Sequence, residues 1–124
     1  MNSKKPSSVL KSCLPKPALQ ERPFLSPEQA SELAAIFKVL ANDTRLRLLH
    51  ALVRAGEMHV TNLAEVLGMK PQAVCNQLQR LVDRGILSSR RNGLNIYYRI
   101  VDHCVIEILD HGLCLSEEAK ERMK

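Results

Sequence analysis

The stretch from residue 102 to residue 118, DHCVIEILDHGLCLSEE, gathers the residue types best suited to hold a soft ion. Wound as a helix at about 100° per residue, it sets His103, Glu107, Asp110, His111, Cys114 and Glu118 on one arc, with Cys104 at the edge. Val105, Ile106, Leu109, Gly112 and Leu113 take the opposite arc. Thiolates and imidazoles favour zinc, copper, cadmium or mercury, and sulfur also suits arsenic-class metalloids. Carboxylates alone on such a face would be an ordinary solvated surface. Two thiols weigh against that, because cysteine usually prefers burial. Spacing alone leaves both readings open.

A second constellation lies between residues 70 and 99. Val74, Leu78, Leu81 and Val82 form one apolar stripe of a helix opened by Pro71. Its other side shows Gln72, Ala73, Cys75, Asn76, Gln77 or Gln79, and Arg80, with Lys70 just ahead. The stretch ILSSRRNGLNIYYRI follows, a hairpin signal centred on Asn92-Gly93, with Arg90 and Arg91 before the turn and Asn95 after it. A helix fits the DNA major groove, where Gln and Asn pair bidentately with adenine edges. Arg90 and Arg91 can neutralise phosphates or enter the minor groove. The chain carries a formal charge of +5, and residues 70–99 alone also balance to +5. A solvated basic surface is the plainer alternative. Cys75 reads either as a small, partly buried side chain or as a thiol whose oxidation or metallation would block the groove.

The remaining elements position these two groups. Ser26-Pro27-Glu28-Gln29 is a capping box with proline at the first helical position. Leu33, Ile36, Phe37 and Leu40 carry that first helix to about Leu40. Asn42 or Asp43 caps a second helix with Leu46, Leu49, Leu52 and Val53 inward, ending at Gly56; His50 falls near the core edge. Thr61 caps a short third helix with Leu63, Val66 and Leu67 inward, stopped by Gly68. Gly85 closes the fourth, and a last helix spans about Asp102 to Leu115. Two short helices, a tight break, a polar-faced helix and a basic hairpin are the order of a winged helix-turn-helix. The expected fold is mainly α with a β-hairpin wing. Residues 1–25 read as a flexible basic arm, 26–118 as the folded domain and 119–124 as a charged tail.

With 124 residues the chain is one domain's worth, and its modest core makes dimerisation plausible. No apolar run reaches the roughly 18 residues of a membrane span, and the N-terminus has no apolar h-region of a secretory signal. Four scattered cysteines without an export signal suit reduced thiols in the cytoplasm. An enzyme is not expected: there is no Gly-rich phosphate loop, no His-Glu-x-x-His and no Ser-centred elbow.

Four segments together carry a resemblance: residues 37–49 (FKVLANDTRLRLL), 62–68 (NLAEVLG), 72–78 (QAVCNQL), and Arg90-Arg91-Asn92-Gly93 through Tyr97-Tyr98-Arg99. Over about residues 28–118 the chain resembles the ArsR/SmtB family of bacterial metal-responsive repressors. The resemblance implies a homodimer built through the first and last helices. It also implies a repressor that leaves double-stranded operator DNA when a metal or other inducer binds. No ion is needed for the fold itself.

The family often places Asp-x-His early in the last helix and His-x-x-Glu late, with ligands from both subunits. Asp102, Cys104 and Glu118 match three of those places, but Leu115 replaces the late His. Cys114 is the neighbouring substitute, turned by about 100°, and His111 shares its face. A second family site, at the start of the third helix, matches Glu57-Met58-His59-Val60-Thr61-Asn62-Leu63, with His59 in place of Cys and Asn62 in place of Asp. Cys13 would meet His59 there if the arm folds back; otherwise the two are a lone thiol and a surface imidazole. Lys70 and Cys75 stand where the family commonly has Ser, and a lysine cannot cap the reading helix. The reading is a repressor released by a thiophilic metal or metalloid ion. The alternatives are the same fold sensing oxidants or reactive sulfur through thiols, and an interaction module without DNA or inducer.

Overall fold

The computed structural model describes residues 15–124. Ahead of the first helix, residues 15–25 are exposed and carry one 3-10 turn, Leu19–Glu21. Helices α1 (Pro27–Leu40) and α2 (Asp43–Ala55) are followed by the short strand β1 (Met58–His59) and by α3 (Val60–Leu67). Then come α4 (Pro71–Asp83), the wing strands β2 (Leu87–Asn92) and β3 (Asn95–Ile100), and α5 (His103–Arg122). The three strands form one antiparallel sheet in the order β1-β3-β2. None of these helices is long and apolar enough to cross a membrane.

The start signals act as expected at α1. Gln29 N donates to Ser26 Oγ at 3.1 Å, and Ser26 N donates to Gln29 Oε1 at 3.0 Å. At α2 the cap is Asn42, whose Oδ1 accepts from Arg45 N at 3.0 Å. At α4 Lys70 occupies the cap position and its side chain makes no capping bond. At α3 the cap position belongs to His59, because β1 pairs with β3 up to that residue and the helix begins at once. Thr61, expected as the cap, lies inside the first turn.

The core is built mainly from α2, α3, α4 and the base of the wing. Leu48, Leu49, Leu52, Leu63, Val74, Leu78 and Leu81 are the largest fully buried side chains, joined by Leu87, Tyr98, Ile100 and Val105. Leu48, not Leu46, completes the face of α2: Leu46 is 39% exposed and Leu48 fully buried. The leucines of α2 span a broad arc whose centre is Leu52, so Leu46 falls on its rim. On α3, Ala64 takes the inward place expected of Val66, which is 61% exposed. The α3 arc is centred between Leu63 and Leu67, and a small residue beside them lets α4 approach. His50 points to solvent rather than to the core edge.

Two boundaries differ from the sequence reading. Asn92 pairs with Asn95, so the wing turn is centred on Gly93-Leu94, one residue later than expected. Gly93 has φ +66° and no non-glycine residue has positive φ among the described residues. A turn needing one positive φ, at its first central position, is of the II′ kind, whereas I′ needs two. The last helix passes Leu115 and ends at Arg122, because Glu117-Glu118-Ala119-Lys120 are good helix formers with no Gly or Pro to stop them. Most of the expected tail is therefore its last turns.

Replacing Leu48 by Ala is expected to cost about 2–5 kcal/mol, the range for a fully buried leucine. Leu46→Ala should cost about 1 kcal/mol or less, as a surface change. Denaturant midpoints at constant slope check both.

Candidate nucleic-acid interface and sensing helix

The α4 stripe of Val74, Leu78 and Leu81 is wholly buried, so helical geometry turns the other side of α4 outward. Gln72, Ala73, Asn76, Gln79 and Arg80 are exposed there, with Lys70 exposed ahead of them. Gln72 Nε2 donates to Asn76 Oδ1 at 3.1 Å, so two amides one turn apart already form a polar row. Gln77 is not part of it. It is half-buried, and its Oε1 accepts from Arg45 Nε at 2.8 Å, which makes it a packing link between α4 and α2.

The wing tip descends beside the start of α4. Pro71, Gln72 and Cys75 on one side and Leu94, Asn95 and Ile96 on the other line a shared groove of about 280 Å³. Cys75 is half-buried as a free thiol at the base of this groove. Burial pushes the Tyr98 hydroxyl up, and Cys75 beside it adds to the rise. These contacts fit the packing reading of Cys75.

Arg90 and Arg91 differ in their surroundings. Arg91 is exposed and makes no ion pair among the described residues. Arg90 is paired with Glu57: Nε donates to Oε2 at 2.8 Å and Nη2 donates to Oε1 at 2.7 Å. Its guanidinium carbon also lies 4.8 Å from the centre of the Tyr97 ring. His59 meets the same ring edge-on at 5.3 Å. Arg90, Tyr97 and His59 are register partners across the three strands, so they form one row on one face of the sheet. No local sequence pattern marks Glu57 and Tyr97 as partners of Arg90. Glu57 stands 33 residues from Arg90 in the chain, and only the folded sheet joins them.

On α5 the expected ligand residues are distributed differently. Asp102 is the helix cap, its Oδ1 accepting from Cys104 N at 2.8 Å. Cys104 is half-buried and disulfide-bonded. Cys114 is an exposed free thiol, and its Sγ lies 3.6 Å from Glu118 Oε2. His111 is exposed, and His103 lies 3.8 Å from Glu107. Cys104 and Cys114 are ten residues apart, about 15 Å along the axis, so they cannot share an ion within one helix. Among the described residues no three His, Cys, Asp or Glu side chains converge as a metal site. Cys13 lies outside the described residues, and His59 is taken up with Tyr97.

The Arg90 hydrogen bonds, aided by the nearby charges of Arg90 and Arg99, hold the Glu57 carboxyl below the ordinary carboxylate range. A depressed carboxylate stabilises the fold above its unfolded pKa and loses that contribution as pH falls through the folded value. The stability gap between the wild-type chain and Glu57→Gln is therefore expected to be full at neutral pH and to close on acidification. Denaturation midpoints across a pH series test this, and a gap independent of pH would remove the pair from the account.

A profile of the MarR family matches residues 42–94, from the start of α2 to the wing turn. The HTH-type transcriptional regulator NmtR of Mycobacterium tuberculosis is 37% identical over 93 residues, covering 75% of this chain and 77% of that protein. The crystal structure of the antimony-specific transcriptional repressor AntR superposes with a TM-score of 0.75 at 60% identity, covering 88% of this chain and 98% of that one. A homodimeric winged helix-turn-helix DNA-binding domain from Mycobacterium bovis, a possible ArsR-family regulator, gives a TM-score of 0.68 at 31% identity, covering 80% and 94%. These similarities show that the chain belongs to the ArsR/SmtB family of winged helix-turn-helix transcriptional repressors.

Proposed function

We propose that the chain, once the disulfide at Cys104 is reduced, is a homodimeric, operator-binding repressor that releases its DNA when a thiophilic metalloid or metal ion binds cysteine thiolates of α5. The observation that carries the DNA half is the Gln72–Asn76 row, held outward by a fully buried stripe and flanked by Arg80 and Arg91. Amides in that position read base edges, while the arginines and Lys70 neutralise phosphates. Ala73 offers a methyl contact, and Asn95 follows the wing tip.

The dimer half rests on exposed apolar side chains. Leu33, Ile36 and Phe37 of α1 and Ile108, Leu113 and Leu115 of α5 are exposed in the single chain. A second copy laid across these helices would cover them. If two α5 helices cross antiparallel near residue 109, Cys104 of each approaches Cys114 of the other, which removes the 15 Å obstacle. His111 and Glu118 lie within a turn of Cys114 and could complete the donor set. Asp102 contributes by fixing the start of α5, since its carboxylate already serves the cap.

Sulfur-rich donors favour thiophilic ions over nickel or cobalt. The similarity to an antimony-specific repressor over nearly the whole domain favours a trivalent metalloid within that class. Release follows only if the ion binds the DNA-free arrangement of the two reading heads more tightly than the DNA-bound one. The disulfide at Cys104 supports a second reading, in which an oxidant or reactive sulfur species acts on the same thiols.

The test is release from DNA upstream of the chain's own gene, with antimony(III), arsenic(III), zinc, cadmium and mercury, and separately with peroxide in metal-free buffer. Cys104→Ser or Cys114→Ser should leave apo DNA binding intact and abolish release. Cys75→Ser should leave ion binding intact. If the double Cys104, Cys114 variant binds its ion with unchanged stoichiometry and still dissociates, the site lies elsewhere, with Cys13 and His59 next. Release by peroxide alone would favour the second reading.

Alanine at Gln72 or Asn76 should cost roughly 1–3 kcal/mol at particular base pairs. Arg91→Ala should weaken binding to all sequences and make the slope of log K against log salt shallower by about 0.9 per lost phosphate contact.

A further inference from the structure

We infer that Glu57 withholds Arg90 from DNA, so that the wing engages phosphates through Arg91 while Arg90 serves as a positioning residue. The inference rests on the DNA-binding reading above and concerns how much of the chain's charge reaches the duplex.

Three observations carry it. First, both oxygens of Glu57 are used by Nε and Nη2 of Arg90, at 2.8 and 2.7 Å. A parallel two-bond pair of this kind is the strong form of the interaction. Second, the guanidinium carbon lies over the Tyr97 ring, 4.8 Å from its centre, and the His59 ring meets that ring edge-on. Arg90 is thus held by a carboxylate and by an aromatic ring together. A DNA phosphate would have to replace a partner that already neutralises the charge, with no net gain in ion pairing.

Third, the two arginines lie on opposite faces of the wing. Leu87 of β2 and Tyr98 and Ile100 of β3 are buried against the helices. Arg91 shares the face of Leu87, and its register partner Ile96 shares that of Tyr98. The groove between the wing tip and Pro71, Gln72 and Cys75 of α4 is lined from both faces, by Ile96 on one and by Asn95 and His59 on the other. Arg90 is on the other face, with Tyr97 and His59. Arg91 therefore lies away from the Tyr97 and His59 row and makes no ion pair among the described residues.

The consequence is a specificity-determining role for Glu57. Phosphate neutralisation supplies essentially all of non-specific DNA binding. Cancelling one cation per wing lowers that background, while the base-reading row on α4 is untouched. The pair also ties the loop before β1 to β2, which holds the wing at a fixed height beside α4.

The experiment is the salt dependence of binding to random-sequence duplex and to DNA upstream of the chain's own gene. It compares wild type, Glu57→Gln and the double variant Glu57→Gln, Arg90→Gln. Releasing Arg90 in Glu57→Gln should steepen the slope of log K against log salt by about 1.8 per dimer, about twelvefold in affinity over a fourfold range of salt. The double variant exchanges a neutral pair for a neutral pair and should keep the wild-type slope. A double variant with a shallower slope would mean that Arg90 already contacts phosphate, and an unchanged slope in Glu57→Gln would mean that it cannot; either overturns the proposal. Thermal melting confirms folding, and should Glu57→Gln fail to fold, the double variant decides alone. A wild-type dimer with no affinity for any duplex at low salt would instead sink the DNA-binding reading itself.

Discussion

Everything outward on α4 is set by what is inward. Val74, Leu78 and Leu81 have no exposed surface, and they meet Leu48, Leu49 and Leu52 of α2 and Leu63 of α3 in a single core. A helix turns 100° per residue, so this contact leaves no rotational freedom to Gln72, Asn76 and Arg80. The core of this small chain is therefore a positioning device as much as a source of stability. A packing change under α4 would re-aim the polar row even where it cost little free energy.

Arg45 extends that constraint to the neighbouring helices. Its Nη1 donates to the Val39 carbonyl at 2.9 Å, near the end of α1 where backbone acceptors lack helical partners. Its Nε donates to Gln77 on α4 at 2.8 Å. One guanidinium thus joins three helices through groups that would otherwise need water. Arg45 and Arg90 are both engaged within the chain, one on helix packing and one, at the surface, on the wing.

Local chemistry made much of this legible in the sequence. The Ser26 capping box, the Asn42 cap, Pro71 at the start of α4 and the Val74-Leu78-Leu81 stripe depend on near neighbours only, and each appears where the residues put it. The departures come where tertiary pairing decides. Strand β1 exists because β3 is beside it, and its pairing displaces the α3 cap from Thr61 to His59. The wing turn slipped by one residue because Gly93 satisfies either turn type and the cross-strand register chose between them. Leu46 and Leu48 both fit a helical face, and the position of the neighbouring helices chose Leu48. The Arg90–Glu57 pair left no pattern in the sequence, since its members belong to different elements. The α5 cluster was legible as a set of residue types, whereas its division among cap, disulfide and solvent depended on the folded chain.

Helix α1 stands apart from this arrangement. Of its fourteen residues only Leu40, at its end, is buried within the chain. Its capping box defines where the helix begins, but a cap contributes only about 1 kcal/mol, and isolated helices of this length are marginal in water. The order of α1 is thus set largely by whatever covers Leu33, Ile36 and Phe37. Its backbone amides would exchange with solvent at a rate governed by how often that cover is absent. Those of α4 would instead exchange only as the leucine core opens, so the two helices report on different equilibria of the same chain.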